Sequence, residues 1–208
     1  PSYNEDAVFA SRIDHYVMMA VADSHFGQWA GQSLLAGISV ECGEMLDINS
    51  AFKVLRKLCD DWSDKLERSE TAFLMTCLDT NSGEGFGISF GDSSTLLVNK
   101  SGLHRLNVKN NQYISLNNKS AMNSKVANVF NFRYQPGDLL LLFTDGIDEC
   151  HYRNPDSSVN DDMIYQLFRE YHENTKEFVS QLTQLALNGV NGQPGGQDNI
   201  AVAAYLFP

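Results

Sequence analysis

The pattern of hydrophobic and polar positions divides the chain into strand-length runs and helical stretches. Residues 16–22 (YVMMAVA) form a continuous apolar run, which is typical of a strand covered on both faces. The same criteria predict other strands at residues 7–11, 72–79, 85–90, 94–99, 103–108, 112–116, 126–134, 139–143 and 200–207. Helices are predicted at residues 32–46, 48–66, 161–171 and 175–187.

The order of these elements predicts an α+β fold. Strands come first, followed by two helices, many strands, two more helices and a final strand, so strands and helices are segregated along the chain. Antiparallel sheets covered by helices would allow strand ends from distant segments to converge. The length of 208 residues predicts one domain, spanning residues 1–208.

The first two strands are interpreted as a β-hairpin that spans residues 4–23. A turn centred near residue 14 pairs Glu5 with Asp23, because both lie nine residues from that centre. Two acids that are far apart in the sequence would then meet at the same end of one hairpin.

Four acidic motifs lie where apolar strands begin or end. They are Asn4-Glu5-Asp6, Asp23-Ser24-His25, Thr144-Asp145-Gly146 and Asp198-Asn199. Carboxylates are costly to cluster unless cations neutralise them, and hard oxygen ligands of this kind suit Mg²⁺ or Mn²⁺. We interpret the motifs as a cage for divalent metal ions; the alternative is a set of solvated turn acids.

Composition narrows the class of protein. The chain is 43% hydrophobic and 20% charged, as in a folded globule, and its net charge of −11 argues against binding a nucleic-acid backbone. No apolar run reaches the roughly twenty residues that span a bilayer. The four cysteines form no C-x-x-C pair and are interpreted as reduced thiols, in keeping with the cytoplasm. The chain starts at Pro1 without Met, so we expect an excised domain or a native start upstream.

Three further motifs, each rich in glycine or proline or containing an acid, accompany the four acidic motifs. They are Gly91-Asp92-Ser93, Pro136-Gly137-Asp138-Leu139 and Gly195-Gly196-Gln197, the last directly before Asp198. Together with the acidic motifs, they resemble the metal-dependent type 2C (PPM) protein serine/threonine phosphatases over essentially the whole chain. Each motif alone is weak, but their order, number and flanking strands make the set specific.

The resemblance implies two packed antiparallel β-sheets flanked by helices, with two Mg²⁺ or Mn²⁺ ions in a cleft at one edge. Asp23 matches the ligand that bridges both ions, and Asp145 and Asp198 match ligands of one of them. The ligands implied for the other ion are Glu5, directly or through water, and the backbone carbonyl of Ser24, with Asp6 close by.

Three more residues receive roles from the resemblance. His25 matches the family's proposed general acid, which protonates the departing serine or threonine oxygen. Asp92 matches a position linked to an additional, weaker metal ion, and Glu149, one helical turn past Asp145, would be its partner. The alternatives are a loop histidine, a turn aspartate and a surface glutamate.

The chain also departs from the family pattern. Many members carry Gly where Ser24 stands, and many carry a phosphate-binding Arg four residues before Glu5, where this chain has Pro1. Arg12 and Lys100 are candidate substitutes for that Arg. Residues 142–149 also resemble the sporulation-type phosphatases that act on anti-sigma-factor antagonists.

The leading interpretation is hydrolysis of phosphoserine and phosphothreonine in proteins by a water that two metal ions activate. The alternative is a pseudophosphatase, a signalling or binding module with little or no turnover, which the missing Arg and Ser24 suggest. A metal-dependent nuclease is disfavoured by the acidic charge. We expect a phosphoprotein substrate, no nucleic-acid or membrane partner, a monomer and a cytoplasmic location.

Overall fold

The computed structural model describes residues 4–60, 69–115 and 125–208. In these ranges the strands are β1 (Asp6–Ile13), β2 (Tyr16–His25), β3 (Glu70–Asp79), β4 (Glu84–Phe90), β5 (Ser94–Asn99), β6 (Gly102–Arg105), β7 (Ile114–Ser115), β8 (Asn128–Arg133), β9 (Leu139–Phe143) and β10 (Val202–Leu206). The α-helices are α1 (Trp29–Glu41), α2 (Ile48–Asp60), α3 (Asp161–Tyr171) and α4 (Thr175–Asn188). Short 3-10 turns follow at Cys42–Glu44 and Pro155–Ser157.

Side-chain caps explain where three of the helices begin. The Asn160 side chain accepts a hydrogen bond from Met163 N at the start of α3, and the Asn174 side chain does the same for Glu177 N in α4. Asp47 accepts from two backbone amides at the start of α2. These polar side chains satisfy amides that have no partner within the helix.

The strands form two antiparallel sheets. One has six strands, in the order β1-β2-β3-β4-β8 with β7 paired to the start of β3, and the other has the order β10-β9-β5-β6. Helices α1 and α2 cover the outer face of the first sheet, and α3 and α4 cover the outer face of the second. The inner faces pack against each other through residues of both sheets, among them Met19, Leu74, Leu140, Leu142 and Ala203. This arrangement confirms the predicted α+β class and the two packed sheets.

The hairpin register differs from the prediction by one residue. Asp6, and not Glu5, lies opposite Asp23, and the pairing ends with Ile13 opposite Tyr16. The loop therefore contains two residues, Asp14 and His15, and its centre falls between them. Asp14 adopts a positive φ of 54°, which is the backbone geometry that tight hairpin turns require. Opposed residues of an antiparallel pair share a face of the sheet, so the correction exchanges which acid faces Asp23.

Other element boundaries were also corrected. Helix α1 begins at Trp29, before the predicted residue 32, and the predicted helix at 48–66 is observed as α2 up to Asp60, with 61–66 outside the described residues. Of the strand predicted at 112–116, the described residues form only β7, which pairs with Glu70 and Thr71 of β3, and residue 116 lies outside the described residues. Strand β3 extends beyond its pairing with β4, so its first residues have a free edge for β7.

Within the described ranges, no helix combines the length and hydrophobicity that a bilayer crossing requires.

Candidate metal centre

The four acidic motifs converge at one edge, where the two sheets meet. Asp6 and Asp23 lie at the same end of the β1–β2 hairpin, and the end of β9 lies beside the start of β10. The Thr144 hydroxyl donates to Asp6 Oδ2 at 2.6 Å, which links β9 of one sheet to β1 of the other. Glu5 N donates to Asn199 Oδ1 at 2.8 Å and makes a second link. The convergence expected from the sequence is therefore present.

Gly146 allows the loops that follow β9 and precede β10 to approach each other closely. A Cβ atom at Gly146 would lie 1.9 Å from the Asn199 carbonyl oxygen, far inside any real contact. Any side chain here would push Asn199 and the neighbouring Asp198 away from Asp145. The position of Gly146, directly after an acid, is the signal that could have indicated this role.

Three carboxylates form the centre of the cluster. Asp23, Asp92 and Asp145 each place one carboxylate oxygen within 4.8 Å of the other two. Asp6, Asp23 and Asp145 are buried, whereas Asp92 is partly exposed. The Asp92 carboxylate lies in the same group as Asp23, the predicted bridging ligand, and its link to an additional ion stays a prediction.

Burial and mutual repulsion raise the pKa values of the inner acids. Desolvation raises the pKa of Asp23 to about 10, and the charges of Asp6 and Asp145 add to the shift. Desolvation likewise raises the pKa of Asp145 to about 7 and that of Asp6 to about 6, although the hydrogen bond from Thr144 lowers the latter. These groups are therefore costly to ionise in the absence of a cation.

The donor set suits a hard divalent cation. Asp92 Oδ1 and Asp145 Oδ1 are buried and have no hydrogen-bond partner among the described residues. A buried carboxylate oxygen without a partner is rare in proteins unless an ion or water satisfies it. All the atoms that could ligate a metal here are oxygens, which are the ligands that Mg²⁺ and Mn²⁺ prefer. The residues therefore fit the implied ions.

Asp198 lies at the side of this group and is held by two donors. Its Oδ2 accepts from the Tyr152 hydroxyl and its Oδ1 accepts from Asn199 N at 2.7 Å. Burial raises the pKa of Asp198, and its charge in turn raises the pKa values of Asp6 and Asp145. Tyr152 was not predicted, because it lies in a loop with no recognisable pattern.

Glu5 and Ser24 organise the loop between β2 and α1. Glu5 Oε1 accepts from Gly27 N at 2.7 Å, and Ser24 Oγ accepts from Gly31 N at 2.9 Å in the first turn of α1. Phe26, in the same loop, has a positive φ of 60°, which is unusual for a bulky residue. The Glu5 carboxylate therefore fixes the loop that directly follows His25, the last residue of β2.

His25 lies at the rim with two neighbours that sequence analysis missed. Its Nδ1 is 3.5 Å from Glu70 Oε1, and its ring meets the Tyr113 ring edge-on at a centroid distance of 4.8 Å. The Tyr113 hydroxyl donates to Asp92 Oδ2 at 2.8 Å. One tyrosine thus connects the candidate acid His25 to the carboxylate cluster.

Glu149 lies next to the cluster, and its charge contributes to the raised pKa of Asp145, but it is not one of the three grouped carboxylates. Its amide donates to the Asp145 carbonyl at 2.7 Å, which confirms that it lies one turn past Asp145. Its carboxylate, however, accepts from Lys109 Nζ at 3.0 Å. The structure therefore places Asp92 in the inner cluster and Glu149 beside a lysine.

A family model described as Stage II sporulation protein E (SpoIIE) matches residues 45–206, which is more than half of the chain. The chain belongs to the SpoIIE family of PPM-type phosphatases. This confirms the predicted PPM family and the predicted sporulation-type features. The matched range contains Asp92, Asp145 and Asp198, whereas the first hairpin precedes it.

Solved structures extend the likeness to the first hairpin. The fold is similar to that of a bacterial serine phosphatase variant, at 17% identity and a TM-score of 0.77 over 100% of this chain and 93% of that chain. It is also similar to the PPM Ser-Thr phosphatase MsPP from Mycobacterium smegmatis in complex with cacodylate, at 16% identity and a TM-score of 0.73 over 100% and 94%. RsbX in complex with magnesium gives 14% identity and a TM-score of 0.68 over 98% and 87%. These likenesses show the fold. A search of curated proteins gives no match.

Neither candidate substitute for the phosphate-binding Arg of PPM phosphatases lies beside the carboxylate cluster. Arg12 is next to the hairpin turn, where its Nε donates to the Asp14 carbonyl, at the opposite end of β1 from Asp6. Lys100 lies in the turn after β5, whereas the start of β5 pairs with the end of β9 beside Thr144. The position of Pro1 lies outside the described residues. Neither candidate is therefore placed to replace that Arg.

The raised pKa of Asp23 predicts a pH-dependent gain in stability for Asp23→Asn in metal-free protein. The folded state holds a proton up to about pH 10, whereas the unfolded chain releases it near the ordinary pKa of 3.8. The wild-type free energy of unfolding therefore falls as the pH rises from 4 towards 10. Asparagine does not titrate, so the variant should be more stable than the wild type by about 1–3 kcal/mol at pH 8 and by much less at pH 4.

Urea unfolding in the presence of a chelator, at pH 4 and pH 8, measures this difference. Asp47→Asn is a matched control, because the Ser50 hydroxyl lowers the pKa of that exposed carboxyl and removing the charge should bring no gain at pH 8. An Asp23→Asn variant that is less stable than the wild type at pH 8 would contradict the prediction.

The link between the sheets predicts a cost for Thr144→Val. Valine keeps the shape of the buried side chain, but it removes the donor to Asp6 and the acceptor of the Ala201 amide at 2.9 Å. We expect the free energy of unfolding to fall by about 1–3 kcal/mol in urea titrations. Thr144→Ser retains the hydroxyl and should cost less; a larger loss for serine than for valine would show that the methyl group, and not the link, matters.

Proposed function

We propose that this chain is a metal-dependent protein serine/threonine phosphatase that hydrolyses phosphoserine and phosphothreonine in proteins. The observation that carries the proposal is the group of Asp23, Asp92 and Asp145, whose carboxylate oxygens lie mutually within 4.8 Å. Asp23 and Asp145 are buried, and one oxygen each of Asp92 and Asp145 has no hydrogen-bond partner among the described residues. A cluster of this kind on the PPM fold suits a centre that holds divalent ions. We propose that residues 1–208 act as one phosphatase-like domain.

We propose the ligand set that the family resemblance implies for two Mg²⁺ or Mn²⁺ ions, and the grouping of Asp23 with Asp145 supports it. Asp23, Asp145 and Asp198 would hold one ion. Asp23, the Ser24 carbonyl and Glu5, directly or through water, would hold the other. When bound, such ions supply an activated water and neutralise the phosphate charge.

The residues of the chain position the reactants and deliver a proton. Asp6 is fixed by Thr144 and keeps the ends of β1 and β9 together. His25 donates a proton to the departing serine or threonine oxygen, while Glu70 near its Nδ1 and Tyr113 beside its ring restrict its orientation. Water adds to the phosphorus, and the products are inorganic phosphate and the protein alcohol.

A pseudophosphatase without turnover is not favoured. A binding module needs no buried acids, yet Asp23 and Asp145 are buried and Asp198 is in place beside them. We further propose a cytoplasmic location, because Cys42, Cys59, Cys77 and Cys150 are free thiols, as in a reducing compartment. The monomeric state and the absence of nucleic-acid and membrane partners stay predictions.

Metal dependence of phosphopeptide hydrolysis tests the proposal directly. Turnover should appear with Mn²⁺ or Mg²⁺ and disappear with a chelator, because the inner acids need cations to stay ionised together. Replacing a residue that only contacts a metal ligand lowers activity by up to ~100-fold. Asp145→Asn removes a proposed ligand itself, so it should lower kcat by more than this. Asp47→Asn is the control and should keep wild-type turnover. Turnover that survives chelation would contradict the metal-dependent mechanism.

The role of His25 predicts a dependence on the leaving group. A serine oxygen needs a proton to depart, whereas nitrophenolate hardly does. His25→Gln should therefore slow phosphopeptide hydrolysis by roughly 10²-fold or more, the scale of general acid catalysis, and largely spare nitrophenyl phosphate. Steady-state kinetics on both substrates measures the difference, and equal losses would make His25 a structural residue.

A further inference from the structure

Lys109 places an ammonium group among the outer acids of the centre. Its Nζ lies 2.9 Å from Asp148 Oδ1 and 3.0 Å from Glu149 Oε1. Both acids follow Asp145 in the loop after β9. Charge-assisted hydrogen bonds of this length are strong when partly buried, and the Asp148 side chain is only 10% exposed.

The segment that carries Lys109 is anchored on both sides. Asn110 exchanges two hydrogen bonds with Gly91, through its amide at 2.8 Å and its side-chain oxygen at 3.0 Å. Asn107 is buried and donates to the Ser93 carbonyl at 2.9 Å. Lys109 lies between these anchors, so the backbone beside Asp92 determines where its side chain starts.

The acceptor side is equally constrained. Asp148 Oδ2 accepts from Ser94 Oγ at 3.2 Å and from Arg105 at 3.4 Å, while its other oxygen accepts from Lys109. Arg105 is in turn held by Asp161 at 2.6 Å. Burial by itself lowers the pKa of Lys109, but the carboxylates of Asp148 and Glu149 outweigh it and raise the pKa. The lysine therefore remains charged at neutral pH.

We infer that Lys109 is a fixed internal cation that occupies the carboxylates of Asp148 and Glu149 and thereby restricts divalent ions to the side of the centre formed by Asp23 and Asp145. A divalent ion bound by Glu149 would have to displace the ammonium group and break its hydrogen bonds. The inner acids lack such a partner, since Asp92 Oδ1 and Asp145 Oδ1 are unpaired among the described residues. The inference rests on the proposed function and limits the chain to two ions.

Metal stoichiometry tests this role without measuring activity. Equilibrium dialysis of the folded chain against increasing Mn²⁺, followed by metal analysis, should give two ions for the wild type and two for Lys109→Arg, which retains the charge. Lys109→Met retains the aliphatic stem but frees both carboxylates, and it should bind three. The double variant Lys109→Met with Glu149→Gln should return to two. Equal stoichiometry in the wild type and Lys109→Met overturns the inference.

A second variant tests the inference even if Lys109→Met does not fold. Glu149→Gln in the otherwise native chain should still bind two ions, because Glu149 serves the lysine and not a metal. A fall to one ion would make Glu149 a ligand and overturn the inference. A wild-type chain that binds no Mn²⁺ would instead contradict the proposed function, so the two failures are distinguishable.

Discussion

The structure depends on the burial of negative charge at the edge where the two sheets meet. Asp6 and Asp23 end one sheet, and Asp145 follows β9 of the other, all buried with raised pKa values. The Thr144 hydroxyl partly compensates Asp6, but burying an unpaired charge costs more than most single contacts provide. All the described aspartates with raised pKa values lie at this edge, so the cost is concentrated where a cation would relieve it.

The geometry of that edge is set by a few directional contacts and not by the hydrophobic core. Side chains between the sheets hold the layers together, but such contacts are not directional. The bond from Thr144 to Asp6 and the bond from Glu5 to Asn199 join the sheets at defined distances. Gly146 removes the side chain that would separate their loops. The core thus supplies stability, and these polar contacts supply the position of each acid.

The acids of the centre fall into two groups that differ in the origin of their counter-charge. The outer pair, Asp148 and Glu149, receives cations from the chain itself, namely Lys109 and, for Asp148, Arg105. For the inner group, Asp92 and Asp145 each retain a buried oxygen without a partner among the described residues. The chain therefore supplies its own counter-charge to the outer acids, whereas these two inner oxygens have no such partner among the described residues.

The sequence by itself determined the strands, the helices and the acidic motifs at the strand ends, because hydrophobic periodicity and turn residues are local signals. Order and spacing of the motifs were enough to indicate the PPM family. Only the tertiary structure decided that Asp6 and not Glu5 faces Asp23, that β7 pairs with β3, and that Lys109 and Tyr113 reach the acids. The hydrophobic pattern of a strand or helix indicates which of its faces is buried, but it does not indicate which other element packs against or pairs with it. Pairing register, the conformation of a two-residue turn and the reach of a loop lysine all depend on chain segments that meet only after folding.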